Sequence, residues 1–283
     1  MTKFKASKAG VLLELLQAHL PQASKTTLRD MVRHGRVSID GVAAARADTR
    51  VLAGQTIEIA SEKAHARIRP PGRLLFADEH LLAIEKPAGA LSIARRPDDE
   101  TFYRSVQSYV RETSGGRARA YIVHRLDRET SGIMIFALSP ETQEALQRNW
   151  RAVRKRYWAL VEGRPPSDEG TIQSWLHENQ AHKMYSGPPG AGAKRAVTHY
   201  RLRREHRSYA LLEIEIETGR KNQIRAHLSE LGCPIVGDRK YGARTNPIGR
   251  LGLHAYLLAF THPVTKAGVR LSLPLPGAFR LRG

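Results

Sequence analysis

At 283 residues with 41% hydrophobic side chains, the chain can bury one sizeable core beside a small appended domain, which excludes global disorder. Lys and Arg outnumber Asp and Glu by 46 to 27, a net charge of +19, so the chain calls for a polyanionic partner: RNA, DNA or an anionic membrane. The one cysteine, Cys233, excludes an intrachain disulfide framework and reads as a small buried filler in a reducing compartment.

Residues 1–61 read as a separate small module. Leu12, Leu13, Leu16 and Leu20 recur at helical spacing. Glu14, Gln17 and His19 interrupt the apolar stretch 11–20, which is too short to span a bilayer. We therefore expect no signal peptide, no membrane association and a cytoplasmic location. Ser24 can cap a second helix over 25–34 that Gly35 ends. Lys25, Arg29, Arg33 and Arg36 make one side of it basic. Strands near 37–39 and Val42 are joined by the tight-turn pair Asp40-Gly41, and a last strand near 56–59 follows Ala53-Gly54. Two helices and a small sheet, with cations on the second helix, resemble the S4-type RNA-binding domain.

Residues 62–72, with Lys63, His65, Arg67, Arg69 and Pro70-Pro71-Gly72, read as a linker. From residue 73 to 283, short apolar runs at 81–84, 120–123, 133–138, 157–161 and 211–216 alternate with helical stretches. They predict an α+β domain on a mixed, largely antiparallel sheet. In the last run Leu212, Ile214 and Ile216 alternate with Glu213, Glu215 and Glu217, which predicts a half-exposed strand.

Three segments carry chemistry. The first, 121–132, sets the polar stretch His124-Arg125-Leu126-Asp127-Arg128 between two apolar strands, so it is a loop at a sheet edge. Asp127 has guanidinium neighbours that favour an ionised, nucleophilic carboxylate. Taken alone, the same residues also fit an Asp–Arg pair that only pins a turn. The second is a strand, 155–163, whose Tyr157 can stack on a base or exchange a proton. The third is Thr218-Gly219-Arg220 and a helix from about Lys221 to Gly232, on which Ile224, Leu228 and Leu231 share a face. Arg220, Lys221 and Arg225 crowd its first turns, where the dipole disfavours cations, so an anionic partner is expected there. The run Arg148, Arg151, Arg154, Lys155 and Arg156 is a candidate phosphate contact or a solvated face.

Together these segments resemble the RluA-type pseudouridine synthases. The matches include His124-Arg125-Leu126-Asp127 with Thr130-Ser131-Gly132, Glu85-Lys86-Pro87-Ala88-Gly89, Tyr157 through Gly163, Gln223-Ile224-Arg225, Gly237-Asp238, and Leu253-His254-Ala255. The resemblance implies isomerisation of uridine to pseudouridine in structured RNA without metal or organic cofactor. It implies Asp127 as nucleophile, Tyr157 as the active-site tyrosine and Arg225 as the cation beside the aspartate. Arg125 is then the residue that enters the RNA as the base flips out, and Ile224 lines the pocket. Arg128, Lys155, Arg220 and the N-terminal cations are expected on the RNA. Ribosomal large-subunit RNA is the expected target, with no protein partner required. Transfer RNA as the target, or RNA binding without catalysis, are the alternatives. Two positions depart from the family: Asn222 replaces a usual histidine, and the loop after Gly89 reads 90–97 without a His-Pro step.

Overall fold

The computed structural model describes residues 2–33, 35–44, 46–59, 68–94, 96 and 98–280. His34, the linker residues Lys63, His65 and Arg67, and Arg95 and Pro97 lie outside the described residues. The chain divides into two compact units, 1–69 and 70–283. Among the described residues no helix is long and apolar enough to cross a membrane.

The first unit runs β1 (Thr2–Lys5), β2 (Gly10–Val11), α1 (Leu12–His19), α2 (Lys25–Arg33), β3 (Val37–Ile39), β4 (Val42–Ala43), β5 (Arg50–Val51) and β6 (Thr56–Ile59). Its sheet has the order β1-β6-β3-β4, all antiparallel, and β2 pairs with β5. Ser24 Oγ accepts from the Thr27 N–H at 3.1 Å, satisfying a donor at the start of α2. Gly35, at φ +65°, turns the chain so that the Arg36 N–H reaches the Met31 carbonyl and closes the helix. Leu12, Leu16, Leu28, Val32 and Ile57 form the core, so the basic side of α2 is left outward. Strand β1 gave no sequence signal: two of its four residues are lysines, and its place is set by pairing with β6.

The second unit runs β7 (Leu74–Ala77), β8 (Leu81–Lys86), α3 (Phe102–Thr113), β9 (Tyr121–Ile122), β10 (Ser131–Ala137), α4 (Pro140–Arg148), β11 (Arg154–Glu162), β12 (Glu169–Glu178), β13 (Met184–Gly187), β14 (Lys194–His206), β15 (Tyr209–Ile216), α5 (Gln223–Glu230), β16 (Leu253–Thr261) and β17 (Gly268–Ser272). An 11-stranded sheet follows the order β13-β12-β14-β15-β11-β16-β10-β8-β7, with β9 beside β10 and β17 beside β16. It is a mixed, mostly antiparallel sheet; among the described residues only β10 and β16 run parallel.

Every residue of β10 is buried. Ile133, Ile135 and Ala137 pack on one face in a core shared with Leu146 of α4. Met134 and Phe136 pack on the other with Phe102, Val106 and Val110 of α3, together with Leu126. The apolar run without alternation thus marks a strand covered on both sides. Where β10 meets β16, Gly132 sits at φ +129°, and a Cβ there would lie 2.2 Å from the Ala255 carbonyl oxygen. Only glycine permits that junction.

Strand β15 departs from expectation. Glu213 is buried, because Arg156 and Arg203 fold over it and Tyr256 donates its hydroxyl to it. Cross-strand arginines let this one carboxylate sit inside, while Glu215 on the same face stays half-exposed.

Candidate active site

The loop between β9 and β10 holds His124 through Thr130, and buried polar contacts give it one shape. Lys86, at the end of β8, is fully buried and donates its ammonium to the carbonyls of Pro87, Ala90 and Arg128 at 2.7–3.0 Å. Burial pulls its pKa down to about 8, against the opposing carboxylates of Glu129 and Asp127. Ser92 Oγ donates to the Leu126 carbonyl at 2.7 Å and accepts from the Leu126 N–H at 3.2 Å. The Thr130 N–H reaches back to the Asp127 carbonyl at 3.1 Å, closing the turn that presents the aspartate. His124 is a brace: its Nε2 accepts from the Ile135 N–H at 3.1 Å and its ring stacks on Trp150. Burial, helped by Lys155, holds its pKa down at about 3, so it is neutral.

The cation beside Asp127 comes from α5. Arg225 Nη1 lies 3.5 Å from Asp127 Oδ2. The other edge of the same guanidinium makes a bidentate pair with Asp238, at 2.7 and 2.8 Å. Its face lies over the Tyr241 ring, 5.0 Å from the centroid. Asn222 precedes α5 in the left-handed conformation at φ +49°, accepts from Arg225 Nη1 at 3.3 Å and donates to Tyr241 Oη at 3.2 Å. Asp238 was in the sequence pattern but not among the expected site residues. The crowded cations on α5 were its signal, since they called for an acid.

A bulge in the β11–β16 register falls between Arg156 and Tyr157 and re-aims the tyrosine. Burial, and then the Asp127 carboxylate, push the Tyr157 phenol well above its ordinary range, so it stays protonated. A pocket of about 90 Å³ is bounded by Asp127, Tyr157, Arg125, Thr130, Ile224 and Arg225, among others. The Thr130 side chain is buried and its hydroxyl has no hydrogen-bond partner among the described residues. Two wider grooves adjoin this pocket, one of about 1030 Å³ past Arg151, Arg195 and His199, the other of about 600 Å³ past Arg128, Lys221 and Lys240. Arg125 is exposed and lines all three.

Other expected residues are placed differently. The neighbours Arg125 and Arg128 do not hold Asp127; Arg128 donates to the Gly89 carbonyl and lies 3.5 Å from Glu129. Lys155 is 5% exposed and donates to the Trp150 carbonyl, so its ammonium is turned to the protein and not to solvent. In the same basic run Arg148 pairs with Glu144, while Arg154 and Arg156 pair with Glu215. Arg220 stays at the pocket rim, its Nε on the Arg195 carbonyl. Lys221 is taken by Glu178. Lys25, Arg29 and Arg33 are exposed on α2, with Arg33 3.3 Å from Asp30, and Arg36 follows the helix half-buried. Among the described residues no group of three or more His, Cys, Asp or Glu is placed to hold a metal ion.

The chain is similar to known proteins over most of its length. The profile described as RNA pseudouridylate synthase covers residues 80–230, from β8 to the end of α5. The Xanthomonas campestris protein named Ribosomal large subunit pseudouridine synthase D is 33% identical over 95% of this chain and 87% of its own length. Bacillus subtilis YjbO, named an uncharacterized RNA pseudouridine synthase, is 36% identical over 73% of each chain. Among solved structures, Human RNA Pseudouridylate Synthase Domain Containing 4 superposes with a TM-score of 0.63 at 28% identity, covering 73% of this chain and 89% of that one. The chain belongs to the RNA pseudouridylate synthase family.

Proposed function

We propose that the chain isomerises uridine to pseudouridine in ribosomal large-subunit RNA in the cytoplasm, with Asp127 as the attacking carboxylate. The relatives named Ribosomal large subunit pseudouridine synthase D support the target. The observation that carries the role of Asp127 is its carboxylate 3.5 Å from Arg225 in a pocket shared with Tyr157 and Ile224.

The reaction breaks the N1–C1′ bond, turns the base and rejoins it through C5, with no net redox change. Asp127 either adds at C6 or assists departure of the base from the ribose. Both routes use a carboxylate anchored by a cation, and Arg225 supplies it. Tyr157, kept protonated, serves as a hydrogen-bond or proton donor toward the base. Ile224 packs on the ring. The target base is stacked in folded RNA, and extruding it costs a few kcal/mol. Arg125, exposed at the junction of the grooves, fills the gap that remains. The first unit acts as an S4-type RNA-binding domain through Lys25, Arg29, Arg33 and Arg36. Phosphate contacts from there supply affinity and register more than sequence reading.

The test is tritium release from RNA carrying 5-tritiated uridine. Asp127→Asn is expected to slow release by about 10⁴-fold or more. Release at the wild-type rate overturns the assignment. Pseudouridine mapping of ribosomal and transfer RNA in cells lacking the protein tests the target, and loss confined to transfer RNA overturns it.

A further inference from the structure

Of the described phenylalanines, tyrosines and tryptophans only two are exposed, Trp175 at 37% and Tyr185 at 45%. They stand on neighbouring strands. In the β12–β13 pairing Trp175 lies opposite Gly187, and His177 lies opposite Tyr185. Side chains at 175 and 177 leave the same face of β12, and directly opposed residues share a face. All three rings therefore project from one side of the hairpin. The other side is taken: Leu176, Met184 and Ala196 pack there against Ala226 of α5.

The rings are held in place by the protein itself. His177 stacks on Tyr185 with centroids 5.5 Å apart, and its Nε2 donates to the Pro188 carbonyl at 2.8 Å. A Cβ at Gly187 would lie 2.8 Å from His177 Cδ2, so only glycine leaves room for the imidazole there. Single exposed rings are ordinary, but a fixed row of them marks a contact surface. Across β12 from this row, Arg195 of β14 lies opposite Trp175 and donates to Gln173 Oε1 at 3.0 Å. Arg195 also lines the groove of about 1030 Å³, which shares Arg125, Tyr157 and Arg220 with the Asp127 pocket. The row thus continues the cleft outward, across β14 and β12 to β13 at the end of the sheet. Every nucleobase has a face that stacks on an aromatic ring, and a guanidinium beside the rings suits the attached phosphates.

We propose that Trp175 and Tyr185 form a stacking platform for unpaired nucleotides that flank the target uridine. It rests on the reading above that the substrate is RNA. Continuity with the cleft and the adjoining cation favour a nucleic acid over a protein partner. Bases reach such a platform only when splayed out of a duplex, so it selects targets with single-stranded neighbours.

The experiment compares Trp175→Ala/Tyr185→Ala and Trp175→Phe/Tyr185→Phe with wild type by fluorescence anisotropy over a salt series. The probes are a ribosomal RNA hairpin with a single-stranded extension and the same RNA with that extension annealed to its complement. The melting temperature is the control for folding. On the single-stranded form the alanine variant should raise the Kd about tenfold or more. The log–log salt slope should stay the same, because no cation is removed. The phenylalanine variant keeps the rings and should bind as wild type does. On the annealed form the three proteins should bind alike. An unchanged Kd for the alanine variant on the single-stranded form overturns the proposal, as does equal weakening on both forms. A phenylalanine variant as weak as the alanine one also overturns it. So does a wild-type dimer in sedimentation that the alanine variant dissociates, since the rings would then face a second copy of the chain. Binding is read without turnover. A wild type that binds but isomerises nothing therefore refutes the proposed function and leaves this platform standing.

Discussion

Arg225 serves two carboxylates of different kinds. Asp238, with 1% of its side chain exposed, takes two of the guanidinium donors, and Asp127, at 24%, receives the remaining edge. The buried pair thus aims the cation at the half-exposed acid. Asp238→Asn removes the charge that fixes this aim and leaves Arg225 buried without its main partner, at a cost of about 3 kcal/mol. We expect kcat to fall about a hundredfold, with KM little changed, because the displaced group faces the reacting base. Steady-state kinetics beside urea unfolding checks this; lower stability with intact kcat would show that Asp238 only holds the fold. Sequence neighbours pointed to the wrong cations for Asp127. Arg125 and Arg128 are closest along the chain, but a turn side chain meets what packs over it.

Two elements make the catalytic loop rigid. Strand β8 ends in Lys86, whose ammonium holds three carbonyls from two loops. The Gly89 N–H then donates to Arg128 across the same gap at 2.9 Å. Lys86→Met leaves the Pro87 and Ala90 carbonyls without this donor and removes one of the two donors to the Arg128 carbonyl, so both loops loosen together. The Gly89 and Leu126 amides should exchange faster in hydrogen-exchange measurements, and kcat should fall about tenfold. Unchanged exchange at both amides would show that the lysine is not the staple. The lysine stands in the Glu85-Lys86-Pro87 motif, but its carbonyl partners, such as Arg128 42 positions away, are invisible to any local period. Strands β8 and β10 were legible because their buried apolar runs are unbroken, and β11 because its apolar run 157–161 is. Strand β12 was not: its burial pattern is mostly exposed and half-buried, and its apolar signal is correspondingly weak.

Across the whole molecule, several histidines are buried neutral. Burial is the first cause in each case: it lowers His124 to about 3 and His254 to about 4 from the ordinary 6.5. Below pH 6.5 the unfolded chain takes up protons that the folded chain refuses. The stability held above that pH is therefore lost as pH falls toward 4 and then 3. Urea midpoints measured from pH 7 to 4 should decline, and His254→Gln should flatten the curve. A midpoint constant over that range would contradict the burial of these rings. The N-terminal hairpin, the caps of α2, the α+β class and the loop that carries Asp127 were determined by sequence alone, because turns, caps and apolar runs are local effects. The family resemblance already named Arg225 beside Asp127; the tertiary structure alone decided that Arg125 and Arg128 do not hold that aspartate, that Asp238 aims Arg225, that Lys155 turns inward and that Glu213 is buried. Those outcomes depend on which strands lie side by side, and side-chain pairing across a sheet joins residues far apart in the chain.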